Sequence, residues 1–452
     1  MSDELPKGWI KATLAELGSW GSGGTPKRTN KDYYNGHIPW LVIGDLNDGV
    51  VSKAKNSITA YGLENSSAKL LEKGVLLIAM YGSIGKLGIT DFQCATNQAI
   101  ASCIVNETLA NKKYLFYLLM SRREHLLSLG KGGAQQNISQ TVLKIYEVPL
   151  APLNEQIRIA NKLDSLLAKV DTAQTRLERI PTLLKRFRQS VLAAATSGEL
   201  TKKWREGTDF KLQIKTLGDT GTVVKTGPFG SALHKRDYVA GGIPIINPMH
   251  INHGKLMPSN SMTISTEKYL ELSAWHLREG DVIVGRRGEM GRAAVVADGK
   301  TKMLCGTGSM ILRVDDTALP KYLELILRSP TSVEYFIAAS VGSTMVNLNQ
   351  GVIKNLKVHF PPLQEQKEIV SRVESLFSVA ESVEKQYTEA KKRTDRLTQS
   401  LLAKAFRGEL VPQDTNDEPA SELINRIQAE REQQAANKPK PKTVTKRKIK
   451  KK

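Results

Sequence analysis

The side chains that could do chemistry in this chain are cations and amides on glycine-rich loops. Thr25-Pro26-Lys27-Arg28 is followed by Lys31, Gly82-Ser83-Ile84-Gly85 runs into Lys86, and Lys131 precedes Gln135, Gln136 and Asn137. A second set comes later: Lys225, His234-Lys235-Arg236, Arg286-Arg287, Arg292, then Asn347, Asn349 and Gln350. Lys and Arg on such loops can approach phosphates closely. In the major groove Arg reads guanine, and Asn or Gln reads adenine, through paired hydrogen bonds. Any one of these residues is also an ordinary exposed loop side chain; the weight lies in two sets at equivalent places. Lys27 and Lys235 are expected mainly at phosphates, and Arg286 or Arg287 and Gln136 at base edges.

Other chemistries find no support in the sequence. Gly82-Ser83-Ile84-Gly85-Lys86 lacks P-loop spacing, and Gly285-Arg286-Arg287-Gly288-Glu289-Met290-Gly291 lacks that of a dinucleotide fingerprint. Asn247-Pro248-Met249-His250 begins like the catalytic Asn-Pro-Pro-aromatic motif of DNA adenine methyltransferases. It lacks the second proline and the aromatic that would stack on a flipped base. There is no HExxH, no GxSxG and no convincing nuclease carboxylate cluster. Cys94, Cys103 and Cys305 have neither CxxC spacing nor clustered histidines, so they read as reduced, mostly buried residues of a cytosolic protein and not as a metal site.

The net charge is +20 over 452 residues. The tail beyond Gln433 holds nine Lys and Arg and no acid, and removing it leaves +11. A body that stays basic without its tail points to a polyanionic partner, most simply nucleic acid. The length fits two or three domains. No apolar run of about 18 residues suggests a membrane span, and the N-terminus has no export signal. A cytoplasmic location is therefore expected.

Two long helices must position the loops. Ile159, Leu163, Leu166, Val170, Ala173, Leu177, Ile180, Leu184, Phe187 and Val191 step by four and three, the spacing of a heptad seam. Adding 210 gives a second series: Ile369, Val373, Leu376, Ala380, Val383, Tyr387, Ala390, Thr394, Leu397 and Leu401, with Thr394 its polar intruder. The flanks repeat as well. Leu153-Asn154-Glu155-Gln156 returns as Leu363-Gln364-Glu365-Gln366, and Gly198-Glu199-Leu200 as Gly408-Glu409-Leu410. Pro181 should kink the first helix or break it briefly. Roughly 43 helical residues span about 64 Å. Heptads alone do not say whether the pair is parallel or antiparallel.

A globular α+β stretch precedes each helix. In the first, 38–43, 75–80 and 99–105 read as strands, and 112–129 as a helix stopping at Gly130. Its landmarks recur in the second. Gly36-His37-Ile38-Pro39 becomes Gly241-Gly242-Ile243-Pro244, and Gly82-Ser83-Ile84-Gly85-Lys86 becomes Gly288-Glu289-Met290-Gly291-Arg292. The filling between landmarks differs strongly. The expected organisation is a first globular domain at 1–153 and a long helix at 154–200, then a connector at 201–215. A second globular domain at 216–363 and a second long helix at 364–410 follow. The remainder, 411–452, holds a short helix at 420–431 and a disordered basic tail.

These residues carry a resemblance to the specificity (S) subunit of Type I restriction–modification enzymes. It rests on Gly23-Gly24-Thr25-Pro26-Lys27, on Gly227-Pro228-Phe229-Gly230-Ser231 with Leu233-His234-Lys235, and on Gly280-Asp281-Val282-Ile283-Val284 followed by Arg286-Arg287-Gly288. Both Pro-Leu-x-Glu-Gln helix starts add to it. The resemblance covers nearly the whole chain in the family's order, the basic tail excepted. It implies two target-recognition domains, each reading one half of a split, asymmetric site in double-stranded DNA. They would lie at opposite ends of an antiparallel coiled coil with a pseudo-twofold internal repeat. It also implies a non-catalytic chain with no cofactor of its own. Two modification subunits would use S-adenosylmethionine to methylate adenine. Two restriction subunits would cleave unmethylated DNA with ATP and Mg, a defence against phage. A single-chain methyltransferase-nuclease would need a cofactor motif that is not visible, and a protein-only coiled-coil scaffold would not need the residual +11.

Overall fold

The computed structural model describes residues 5–131, 136–229, 232–297, 301–339 and 347–436. The chain divides into two compact units. The first is Met1–Thr175 with Lys391–Lys452, and the second is Arg176–Ala390. Each long helix, Leu153–Thr196 and Leu363–Ala405, contributes one part to each unit.

In unit 1 a five-stranded sheet runs in the order Gly18–Ser22, Ile100–Val105, Leu76–Ala79, Leu87–Thr90 and Gly49–Val51. It is antiparallel except for its last pair. The 76–79 strand is buried along its whole length, which explains its unbroken apolar run. A three-stranded sheet of Asn56–Ile58, Tyr34–Leu41 and Ala95–Thr96 completes the domain. Ile10–Thr13 pairs with Glu147–Leu150 and closes it just before the long helix begins. The expected helix 112–129 forms as two pieces, Lys112–Ser121 and Arg123–Ser128. Leu119 and Leu126, one on each piece, are both fully buried.

Unit 2 repeats the plan. Its main sheet runs Val223–Thr226, Ser309–Arg313, Val282–Gly285, Ala293–Val295. Its second sheet contains Tyr238–Val239, Thr263–Ile264, Ile243–Ile246 and Leu304–Cys305. Ile214–Thr216 pairs with Lys357–His359 as the closing clasp.

The helix starts are fastened alike in both units. Gln156 is fully buried; its Oε1 accepts from Asn111 N at 2.8 Å, and its Nε2 donates to the carbonyls of Leu109 at 3.1 Å and Ala151 at 2.8 Å. Gln366 does the same with Leu319 N at 2.8 Å and the carbonyls of Thr317 at 3.1 Å and Pro361 at 2.9 Å. Tyr114 and Tyr322 each donate a hydroxyl hydrogen bond, at 2.9 Å, to the clasp strand before the helix. The acidic partner differs. Glu155 accepts from Trp9 Nε1 at 3.0 Å, whereas Glu365 accepts from Thr201 Oγ1 at 2.6 Å and pairs with Arg205. The 201–215 segment is thus not a free connector: Thr201 is fully buried, and a short helix, Lys202–Arg205, forms there.

The helices pair antiparallel. In unit 1 the start of the first, Ile159 and Leu163, shares a core with the end of the second, Leu402 and Ala405. In unit 2 the end of the first, Val191, Leu192 and Ala195, packs with the start of the second, Ile369 and Val373. Val170 and Leu184 are buried too, and Leu166, Leu177, Leu376, Tyr387 and Leu401 are half-buried. Three seam residues are corrected: Phe187, Val383 and Leu397 are 37%, 38% and 43% exposed. A straight helix turns about 20° off a heptad line per heptad. The line nevertheless stays in contact, since Val191, one step beyond Phe187, is buried. Leu184 and Thr394, one step before Phe187 and Leu397, are buried too. The first helix also runs on through Pro181, whose side chain is exposed.

The C-terminal helix, Ala420–Ala436, exceeds the expected 420–431 and docks on unit 1. Leu423 and Ile427 pack on Leu109 and Leu153, Ala420 N donates to Gly8 O at 3.0 Å, and Arg158 grips Asp417 at 2.6 and 3.3 Å. Among the described residues no helix is long and apolar enough to cross a membrane. All three cysteines are free and buried.

Candidate nucleic-acid interface

At one end of the main sheet in unit 1, loops converge. The turn after the first strand is pinned by Gly23 N to Ile100 O at 3.3 Å and Gly24 N to Thr96 O at 2.9 Å. A Cβ on Gly23 would come within 2.1 Å of Thr96 O, so the approach requires glycine. Trp40 Nε1 donates to Gly24 O at 3.0 Å, and Thr25 bonds Gln98. The turn after the 76–79 strand lies beside them. Met80 O accepts from Ile138 N at 2.9 Å, Tyr81 bridges Asn137, and Gly82 N donates to Gln136 O at 3.4 Å. Lys131 bridges Asn137 through two backbone bonds of 2.9 and 3.0 Å.

Lys131, Gln136 and Asn137 are therefore together with the 80–86 loop, and all three are exposed. Lys86 is half-buried on that loop and has no ion-pair partner among the described residues. Lys27, Arg28 and Lys31 are exposed beyond Pro26, whose carbonyl accepts from Tyr34 Oη at 2.6 Å. Gln135 lies outside the described residues.

Unit 2 builds the same rim from different side chains. Gly227 N donates to Ser309 O at 2.9 Å, Leu348 N to Arg286 O at 2.9 Å, and Arg287 bridges Asn347. Lys225 lies over the Trp275 ring at 5.5 Å, and Gln350 donates to Thr226 Oγ1 at 3.1 Å. His234, Lys235 and Arg236 are exposed at a short turn closed by Asp237, whose carboxylate accepts from His234 N at 2.7 Å.

Several residues expected at DNA, Asn347 and Gln350 among them, prove to be hydrogen-bonded within the chain. Arg292 donates to Glu289 at 2.6 and 2.9 Å and to the carbonyls of Pro248 and Ile251 at 3.3 and 3.2 Å. Its fork is filled, so it braces the loop. Asn349 caps the helix Gln350–Lys354, its Oδ1 accepting from Val352 N at 2.9 Å. Arg286 is only 8% exposed; its Nε donates to Asn347 Oδ1 at 2.9 Å, and its guanidinium sits 5.8 Å from the Phe229 ring centroid. Burial, with Arg287 next in the chain, pulls Arg286 below the usual arginine value. Asn247-Pro248-Met249-His250 is likewise structural. His250 Nδ1 accepts from Asn247 N at 3.2 Å, and the carbonyl of Pro248 receives Arg292.

The rims also hold residues that composition and spacing did not single out. Tyr81 is 43% exposed in unit 1, and Phe229 is 62% exposed in unit 2. The signal for Tyr81 was present in the sequence. It stands one place before Gly82, as Arg287 stands before Gly288.

One α+β module built twice, on paired antiparallel helices, defines a tandem-repeat architecture. The chain matches the family model described as Type I restriction modification DNA specificity domain over residues 6–182 and again over 211–392, and it belongs to that family. It is 29% identical over 444 residues to the Type I restriction enzyme EcoBI specificity subunit of Escherichia coli, spanning 94% of this chain and 92% of that one. It is 29% identical over 452 residues to the EcoKI specificity subunit of Escherichia coli strain K12, spanning 95% and 96%. Solved structures share the fold. A chain from a study of assembly and conformational transition in the type I R-M system superposes with a TM-score of 0.67 at 19% identity, covering 90% of this chain and 99% of that one. The HsdS subunit of Thermoanaerobacter tengcongensis gives 0.58 at 19% identity, with the same coverage.

Proposed function

We propose that this chain is the DNA-reading subunit of a Type I restriction–modification complex, with one half-site read by each rim. The observation that carries the reading is the duplicated rim: the same backbone frame holds Tyr81, Lys86, Lys131 and Gln136 in one unit, and Lys225, Arg287 and Gln350 in the other. Equal frames with unequal side chains suit a bipartite, asymmetric target. Exposed Lys27, Arg28, Lys31, His234, Lys235 and Arg236 supply sequence-independent attraction to phosphate.

The chain itself catalyses nothing in this reading. Two modification subunits carry S-adenosylmethionine and methylate adenine; two restriction subunits use ATP and Mg to cleave unmethylated DNA. The complex works in the cytoplasm. The paired helices carry the two readers and hold the modification subunits.

Two measurements on the purified full chain test this. DNA affinity should fall steeply with salt, since each phosphate contact contributes close to one unit of slope on a log–log plot. No methyl group should pass from S-adenosylmethionine to DNA until a modification subunit is added. Methyl transfer by the chain alone, or affinity indifferent to salt, would contradict the reading.

A further inference from the structure

The two rims share one position at which the backbone is the same and the side chain is not. In unit 1 it is Tyr81: the carbonyl before it accepts from Ile138 N at 2.9 Å, it bridges Asn137, and Gly82 follows with φ +64°. In unit 2 it is Arg287: the carbonyl before it accepts from Leu348 N at 2.9 Å, it bridges Asn347, and Gly288 follows with φ +78°. A Cβ added to Gly82 or Gly288 would meet nothing within 4 Å, so both glycines face open space among the described residues.

Among the described residues both side chains keep their polar groups uncommitted. The Tyr81 hydroxyl makes no hydrogen bond to the described residues, and the Arg287 guanidinium makes neither hydrogen bond nor ion pair with them. Their neighbours differ. Met80 and Arg286 are buried, and Arg292 is filled by Glu289 and two carbonyls. In each unit the fixed loop presents, just before its open glycine, a side chain with no polar partner among the described residues.

We infer that Tyr81 and Arg287 are corresponding specificity-determining residues, each contacting one base edge in its own half-site. This rests on the rims being half-site readers. A guanidinium offers two parallel donors and suits the O6 and N7 acceptors of guanine. A phenol offers one O–H and makes a single hydrogen bond.

The test is selection of bound duplexes from a randomised pool by the full chain, followed by sequencing, with the untouched half-site as control for folding. Tyr81→Phe keeps the ring and removes the hydroxyl. It should weaken the preference at one position of one half-site by about threefold to tenfold. Arg287→Ala should weaken one position of the other half-site by about tenfold to a hundredfold. Tyr81→Arg should install a preference for guanine at the position that Tyr81→Phe relaxed. If the parent selects a bipartite sequence and both Tyr81 variants select the same one, unchanged in strength, Tyr81 is not a reader. A parent that selects no sequence would overturn the half-site reading and this assignment with it.

Discussion

Gln156 and Gln366 tie each long helix to its globular domain, and each does so with three hydrogen bonds to backbone groups that have lost their water. An amide is the side chain that can accept from one N–H and donate to two carbonyls at once. Replacing it by alanine leaves buried groups unpaired, at about 1–3 kcal/mol for such a group. Gln156→Ala and Gln366→Ala should therefore each lower the urea midpoint of the unit they fasten, by similar amounts. Hydrogen exchange at Asn111 and Leu319, whose amides they hold, should rise selectively. An unchanged exchange rate at those amides would show that the clamp carries no stability. At this scale the loops' cationic character was legible in the sequence. Which cations stay free was not, because a single sequence does not show that Glu289 or two carbonyls will fill the fork of Arg292.

Among the elements, the seam was legible at its ends and misleading further along. Ile159, Leu163, Ile369 and Val373 are buried where a globular domain covers the helix pair. Phe187 and Leu397 follow the heptad and are still partly exposed, although Leu184, Val191 and Thr394 on the same lines are buried. The docked C-terminal helix shows a further contact that periodicity alone does not encode. Arg158 holds the Asp417 carboxyl below its ordinary value of 3.8, chiefly through their hydrogen bond. A carboxyl whose folded value is lowered contributes its stability in full above the unfolded value, and loses it as pH falls through the folded one. Protease resistance of residues 410–436 should therefore be greater in the wild type than in Asp417→Asn at pH 7. The difference should begin to shrink as pH falls below about 4 and vanish only below the lowered folded value. A difference that persists at low pH would mean that the ion pair does not hold this segment.

For the whole molecule, the 210-residue offset was the most informative feature, since it states that one long helix with its flanks is used twice before any strand is assigned. The structure extends that repeat to buried atoms: the glutamine clamps, the tyrosine hydroxyls and the rim bridges recur. The differences include exposed rim side chains and also buried partners, with Trp9 at Glu155 but Thr201 and Arg205 at Glu365. Bulky, buried residues are legible because packing constrains them; loop side chains are less so, since their direction depends on turns set by contacts far away in sequence. The basic tail beyond residue 436 lies outside the described residues. The measurement that bears most directly on the proposed role is a map of methylated adenines across the source genome, with and without this gene. Loss of methylation at one split, asymmetric motif, with all other methylated motifs intact, is the expected result. A methylation map unchanged by deletion of the gene would contradict it.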